Sequence, residues 1–293
     1  MLERQLLLNA VVAGSTYSLV ALGFSVIYSV CRFFHFTHAA VITCGAYLAW
    51  TFIFLVGLPP AVGIVLAVLC TALLGAILYG CFYHFLMLRQ ASPLVMLLAS
   101  LGMYTVIQNA ISLAYGDVYR TLSPNASFGS YPILGARITG VQVATLTANV
   151  LLYGAIGWAL ARTKPGRIAR AVANDRELAN TYGIDERLVF LVVFAVGSLL
   201  AGVAGILIAF DGSINPTMGF DALLMGVVAA IIGGVGSIPG SVAGGFFIGF
   251  IQAFGVWKLP TEWQGGIVFI VLLAFLVFRP NGFFGKPLPR HTV

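Results

Sequence analysis

The chain has 293 residues, 60% of them hydrophobic and 8% charged, with a net charge of +6 from 15 basic and 9 acidic groups. Soluble domains are about half apolar, so a mean hydropathy of +1.02 excludes that class and predicts an all-α polytopic membrane protein. The basic residues fall between apolar runs, where the positive-inside rule explains them better than a nucleic-acid partner does.

In chain order the apolar runs cover 6–30, 37–56, 61–86, 93–115, 141–161, 189–210, 222–255 and 263–278. Several reach the roughly 20 residues that cross a bilayer as a helix, which predicts about eight spans or half-spans. No stretch between them is long enough to build its own core, so residues 1–293 read as one transmembrane domain. The first run exceeds the ~7–15-residue core of a signal peptide and reads as a retained span. Beyond it, "CRFFHFTHAA" also fits a partly inserted segment, and the single charges Arg4 and Arg32 leave the orientation of this end open. His35 and His38 read first as surface or interfacial histidines and second as gating groups. Cys31, Cys44, Cys70 and Cys81 lack paired spacing and read as small packing residues. In the fourth run Gln108 and Asn109 require hydrogen-bond partners, either as glue between helices or as lining of a solute path.

By the positive-inside rule, Arg89, the loop at 162–188 and the Arg279/Lys286/Arg290 tail are cytoplasmic. The 116–140 loop, the "FDGSINPTMGFD" turn and the "VWKLPTEW" turn then lie outside. Trp257 and Trp263 flank the last of these, at headgroup level. Asn215-Pro216 reads as a turn that starts the next helix. Asp221 and Lys258 fall on one side, so the run 222–255 goes in and comes back. Its glycine-rich middle, "GGVGSIPGSVAGG" at 233–245, predicts broken backbone at membrane depth, as two short helices or a re-entrant pair. Gly236, Gly240 and Gly244, with Gly245 and Gly249, form a four-residue ladder that permits close helix approach, within the chain or against another subunit.

Chemistry-bearing motifs narrow the function. The chain contains no G-x-x-x-x-G-K-[ST], and the "GGVG" run lacks a strand–turn–helix setting, so neither route to ATP binding is predicted. It also lacks G-x-S-x-G, which with scattered histidines argues against a membrane hydrolase. No acidic residue occurs between Glu3 and Asp117, an argument against a proton relay, although a stand-alone sodium-coupled carrier remains an alternative.

The soluble-looking segment "KPGRIARAVANDRELANTYGID", 164–185, stands apart from the rest. Pro165 suits a first helical position. Ile168, Ala171 and Val172 fall on one predicted face beside Arg167 and Arg170. Asn174 and Glu177 have capping-box spacing, Leu178, Ala179 and Tyr182 give a second apolar face, and Gly183 supplies a left-handed stop. Mixed charge beside a small apolar face suits a groove on a soluble partner better than anionic lipid.

Glu177-Leu178-Ala179, three residues and Gly183 resemble the EAA-x-x-x-G coupling loop of ATP-driven importer permeases, with Leu in place of the first Ala. "GRIARAVANDRELANTYGI", "GSTYSLVALGFSVIYSV", "FHFTHAAVITCGAY", "INPTMGF" and "IIGGVGSIPGSVAGGFFIGF" extend that resemblance to most of the chain. The family is the LivH-like inner-membrane permeases of branched-chain and hydrophobic amino acid importers. The resemblance implies a transport subunit without catalysis of its own, paired with a second homologous permease. Two cytoplasmic ATPases would supply ATP and Mg chemistry, an extracytoplasmic binding protein would deliver the solute, and this chain would hold no cofactor or metal. It further implies an ATPase-coupling surface of Pro165, Gly166, Arg167, Arg170, Ala171, Asn174, Asp175, Glu177, Leu178, Ala179 and Gly183. Candidates for the solute path or gate are Phe36, His38, Gln108, Asn109, Asn215, Gly233, Gly236 and Ser237. Where the family often has Asn-Phe-Ala-His-Gly, this chain has His35-Phe36-Thr37-His38-Ala39. The expected solute is therefore a branched-chain or other neutral amino acid, with urea or short amides as the alternative.

Overall fold

The computed structural model describes residues 2–122, 129–133, 135–257, 260 and 263–285. Lys258, Lys286 and Arg290, and parts of the 116–140 loop and the "VWKLPTEW" turn, lie outside the described residues. Twelve α-helices carry the described fold: α1 (Leu2–Cys31), α2 (His38–Trp50), α3 (Pro60–Leu78), α4 (His84–Leu88), α5 (Pro93–Tyr115), α6 (Gly140–Arg162), α7 (Lys164–Asn174), α8 (Arg176–Thr181), α9 (Glu186–Asp211), α10 (Met218–Gly233), α11 (Ile238–Val256) and α12 (Gln264–Phe278). A two-stranded antiparallel hairpin, β1 (Ser130–Ile133) with β2 (Ala136–Thr139), precedes α6. Seven helical segments are long and apolar enough to cross a membrane, and Met218–Gly233 and Gln264–Phe278 are shorter apolar helices.

Helix boundaries follow from local chemistry. Ser92 caps α5, and Pro93 occupies a first-turn position where no amide is needed. Thr139 and Gln142 form a reciprocal capping box at the start of α6. Ser237 accepts from Gly240 N at 3.2 Å to open α11.

Two sets of contacts fix the ends of the bundle. At one end Gln5 exchanges hydrogen bonds with the Arg137 backbone at 2.9 and 3.1 Å, while Arg120 and Ile214 pair as a β-bridge. At the other, Arg176 donates to the Val30 and Cys31 carbonyls, so the C-terminal end of α1 meets the basic α7–α8 pair. With that pair on the cytoplasmic side, as its basic charge predicts, α1 would begin outside and end inside.

Between α1 and α2, residues 32–37 turn back into the protein. His38 lies against Gly23, eight residues and so about 12 Å above the inner end of α1. Non-helical backbone survives at such depth only when its polar groups are met. Phe36 N donates to Ser100 Oγ at 3.0 Å, and the Thr37 hydroxyl donates to Ser100 O at 2.8 Å. With its one proton so used, Thr37 Oγ1 accepts from Tyr83 Oη at 2.6 Å. Tyr83 belongs to a π-helical turn, Tyr79–Tyr83, that follows α3.

The predicted passage in and out over 222–255 is present as α10 and α11. The break is narrower and lower than expected: only residues 234–237 leave the helix, and Gly236 packs beside Tyr28 and Ser29, near the inner end of α1. From Ile238 onward the glycines remain helical because Ser237 and Pro239 start a helix, and close packing takes the place of side chains. A Cβ on Gly245 would lie 2.5 Å from Ser18 Cα, and one on Gly249 2.5 Å from Gly14 Cα. The ladder's contacts are thus internal, joining α11 to α10 and α1. Most of the apolar part of α1 is buried, 78%, against 11% of that of α6, so α1 is central and α6 peripheral.

Candidate functional site

Two regions gather polar chemistry, one at each end of the bundle. At the inner end, Thr163 caps α7 by accepting from Gly166 N at 3.2 Å, and Pro165 stands in the first turn. The buried side of this helix pair is Gly166, Ala169, Val172 and Ala179. Ile168, Leu178 and Tyr182 instead point outward, with Tyr182 79% exposed. Of the predicted apolar face, Ile168 and Ala171 are exposed, where a soluble partner would reach them, and Val172 turns inward; the side against the bundle is otherwise made of the small Gly166 and Ala169. Gly166 shows why, since a Cβ there would lie 2.5 Å from Leu160 Cα.

The cap of α8 is also shifted by one residue. Asn174 is the last residue of α7, and Asp175, in extended backbone, accepts from Leu178 N at 3.0 Å. The other end agrees with the sequence reading. Gly183 has φ +77°, its N–H bonds to Asn180 O at 2.9 Å and Ile184 N to Ala179 O at 3.1 Å, a Schellman stop. The exposed surface therefore combines Pro165, Arg167, Arg170, Ala171, Asn174, Asp175, Glu177, Leu178 and Gly183, while Gly166 and Ala179 face the bundle.

Two arginines tie this pair to α1, and the sequence reading singles out neither for the role. Arg176 Nη2 donates at 3.1 Å to the Val30 and Cys31 carbonyls, and its guanidinium stacks 4.7 Å from the Phe190 ring. Arg32, at φ 58°, donates to Ala173 O at 3.0 Å. Each arginine caps the C-terminal carbonyls of the helix opposite, where a cation is also favoured by the helix dipole.

At the outer end lies a cavity of about 710 Å³ between α1, α6, α9, α10, α11 and α12. Thr16 and Tyr17 of α1 and Gln252 of α11 supply polar lining, and Asp211 and Asp221 supply carboxylates. Met218 and Met225 contribute apolar wall. The Tyr17 hydroxyl donates to Gln252 Oε1, while Gln252 Nε2 reaches Met225 Sδ at 3.9 Å. Sequence reasoning does not identify this site. Its faint signals are the helical spacing of Asn9, Ala13, Thr16 and Tyr17, and a single Gln252 within an apolar run.

The eight residues expected along the solute path do not converge. His35 and His38 are buried rather than interfacial, 1% and 0% exposed, with ring centroids 6.0 Å apart. Glycine-lined helices close over them, as Gly23 does over His38. Gln108 and Asn109 do not bridge helices: Asn109 Nδ2 donates to Thr105 O and Gln108 Oε1 within α5, and Asn109 faces outward. Asn215 Oδ1 accepts from the N–H and hydroxyl of Thr217, making the expected turn before α10. Gly233, Gly236 and Ser237 sit at the inner turn, and Phe36 in the re-entrant segment. None of the eight lines the cavity.

A family described as "Branched-chain amino acid transport system / permease component" matches residues 6–276. The chain is 31% identical to the high-affinity branched-chain amino acid transport system permease protein BraD of Pseudomonas aeruginosa, over 97% of this chain and 96% of that one. Against the corresponding LivH protein of Escherichia coli the identity is also 31%, over 97% and 96%. Among solved structures, PsaBC from Streptococcus pneumoniae in complex with Fab shares the fold at TM-score 0.51 and 13% identity, covering 98% of this chain and 94% of that chain.

Proposed function

The chain belongs to the branched-chain amino acid transport permease family, and we propose that it is the translocating subunit of an ATP-driven importer for branched-chain or other neutral, hydrophobic amino acids. It is a multi-pass protein of the inner membrane. On this reading a second, homologous permease completes the pathway, and an extracytoplasmic binding protein delivers the solute to the outer end. Two cytoplasmic ATPases bind and hydrolyse ATP with Mg, and this chain holds neither.

The observation that carries the reading is the exposed α7–α8 surface. It presents Ile168, Leu178 and Tyr182 among Arg167, Arg170, Asp175 and Glu177. Apolar anchors ringed by mixed charge suit a groove on a soluble protein. Arg176 and Arg32 then join that surface to α1, which lines the outer cavity. Movement imposed on the helix pair by nucleotide-driven closure of the ATPases is thereby passed to the bundle.

The test is uptake of labelled leucine into vesicles containing the chain with its co-purifying partners, with and without ATP. ATP-dependent uptake competed by other neutral amino acids is expected. ATP-dependent uptake of urea but not leucine would keep the mechanism and replace the solute. Sodium-driven uptake by the chain alone would overturn the importer reading.

A further inference from the structure

We infer that the outer cavity is a binding site for a free α-amino acid held as a zwitterion. The proposal rests on the importer reading and adds to it the atoms that would recognise the solute. A volume of about 710 Å³ lies within the usual range of small-molecule sites, about 300–1,000 Å³. Its lining contains two carboxylates and, among the described residues, no lysine or arginine. Among the described lining residues, then, a ligand with net negative charge finds no counter-charge, whereas an ammonium group does.

Asp211 ends α9 and Asp221 stands in the first turn of α10, so two separate elements bring the carboxylates to one cavity. The opposite group of an amino acid has its own place. α12 opens on this cavity through Gln264 and Gly265, in its first turn. The positive end of the α12 dipole lies at this start, which suits a carboxylate. A Cβ on Gly265 would meet nothing within 4 Å, so a ligand can approach the backbone there.

A third observation is independent of both charged ends. Gln252 is 7% exposed and lines the cavity. Its carbonyl oxygen is occupied by Tyr17, and its amide reaches only the Met225 sulfur, at 3.9 Å. An amide has two N–H donors, so one is left to a ligand. The apolar wall formed by Leu207, Ile208, Met218 and Met225 suits an aliphatic side chain, and methionine adapts to several shapes. A site with an acceptor for ammonium, the positive end of a helix dipole for carboxylate and an apolar wall favours an amino acid over urea or a short amide.

The experiment is equilibrium binding to the purified permease–ATPase complex, without the delivering protein, using labelled leucine. Competitors are leucinamide, which lacks the carboxylate, and 4-methylpentanoate, which lacks the ammonium. Leucine is expected to bind about tenfold more tightly than either, the scale of one charge-assisted contact. Asp221→Asn should abolish the preference for leucine over 4-methylpentanoate while leaving complex assembly intact. Should that variant fail to assemble, Asp211→Asn and Asp221→Glu probe the same end. Unchanged discrimination in every assembled variant overturns the site. ATP-driven leucine uptake measured on the same preparation separates the two readings: uptake with unchanged discrimination removes the cavity proposal alone, and uptake confined to urea removes the amino acid importer as well.

Discussion

The inner helix pair is made from one continuous stretch of chain, and its surface is charged. The outer cavity draws on six helices that are distant in sequence, and most of its lining is apolar or uncharged. The first is defined by local rules: caps at Thr163 and Asp175 and a left-handed stop at Gly183. The second exists only through tertiary packing, above all the crossing of α1 with α11. A mutation should therefore damage the two regions through different links, local helix termination at the inner end and global helix approach at the outer.

The largest effect is expected at that crossing. In Gly245→Leu the new side chain would start 2.5 Å from the backbone of Ser18, and overpacking of this kind costs about 3 kcal/mol or more. The folded, monodisperse permease should be lost in fluorescence-detected size-exclusion chromatography. Gly154→Leu on α6, where a Cβ meets nothing within 4 Å, should elute as the parent does. Equal behaviour of the two would show that the α1–α11 crossing does not set the outer architecture.

Next is the link between the regions. Removing the two Arg176 hydrogen bonds and the Phe190 stack should cost about 2 kcal/mol, given about 1.5–3 kcal/mol for a bond to a charged group and partial exposure of the side chain. In Arg176→Ala, ATP hydrolysis by the assembled complex should persist while solute uptake falls severalfold. Uptake and hydrolysis falling together would make Arg176 a structural residue of the docking surface rather than a link from it to α1.

Sequence legibility follows the same division. Gly183 and Pro165 were readable because termination of a helix is decided within a few residues. The apolar runs mark the spans, and the placement of Asp221 and Lys258 on one side marks the inward and outward passage of α10 and α11. The side of α7 that meets the bundle is not legible in the sequence, because burial depends on the partner surface: Gly166 fits against Ala159 and Leu160 of α6, where a side chain would not. His35 and His38 have the sequence setting of interfacial residues because they follow the end of an apolar run, but residues 32–37 fold back inside. Tyr17 and Gln252 are 235 positions apart, and no local pattern joins them. Arg32 gave no signal beyond its charge, since its role lies in reaching Ala173 O.

A smaller effect is expected at Gly183, whose φ of +77° costs a Cβ-bearing residue about 1–2 kcal/mol. Gly183→Asn should be milder than Gly183→Ala, because Asn tolerates the left-handed region better. Both should weaken attachment of the ATPases in co-purification while leaving the outer cavity's ligand preference unchanged. A loss of leucine discrimination without a loss of attachment would contradict the division between the two ends.

The smallest effect isolates a single cap. Asp175→Ala removes the acceptor for Leu178 N and should cost about 1 kcal/mol of local helix stability. Asn174→Ala should cost less, because Asn174 makes no capping bond at this turn. Hydrogen exchange of the α8 amides is the direct measure, since a helix of six residues with one lost cap opens locally before the bundle does. About a fivefold faster exchange is expected in Asp175→Ala, from 1 kcal/mol at room temperature, with α11 unaffected. If Asn174→Ala produced the larger change, the chain would be using the capping box that the spacing of Asn174 and Glu177 suggests, with α7 ending one residue earlier. The Arg176 guanidinium, two residues beyond Asn174, would then need a different approach to the end of α1, and the coupling assigned to it would fall with the cap.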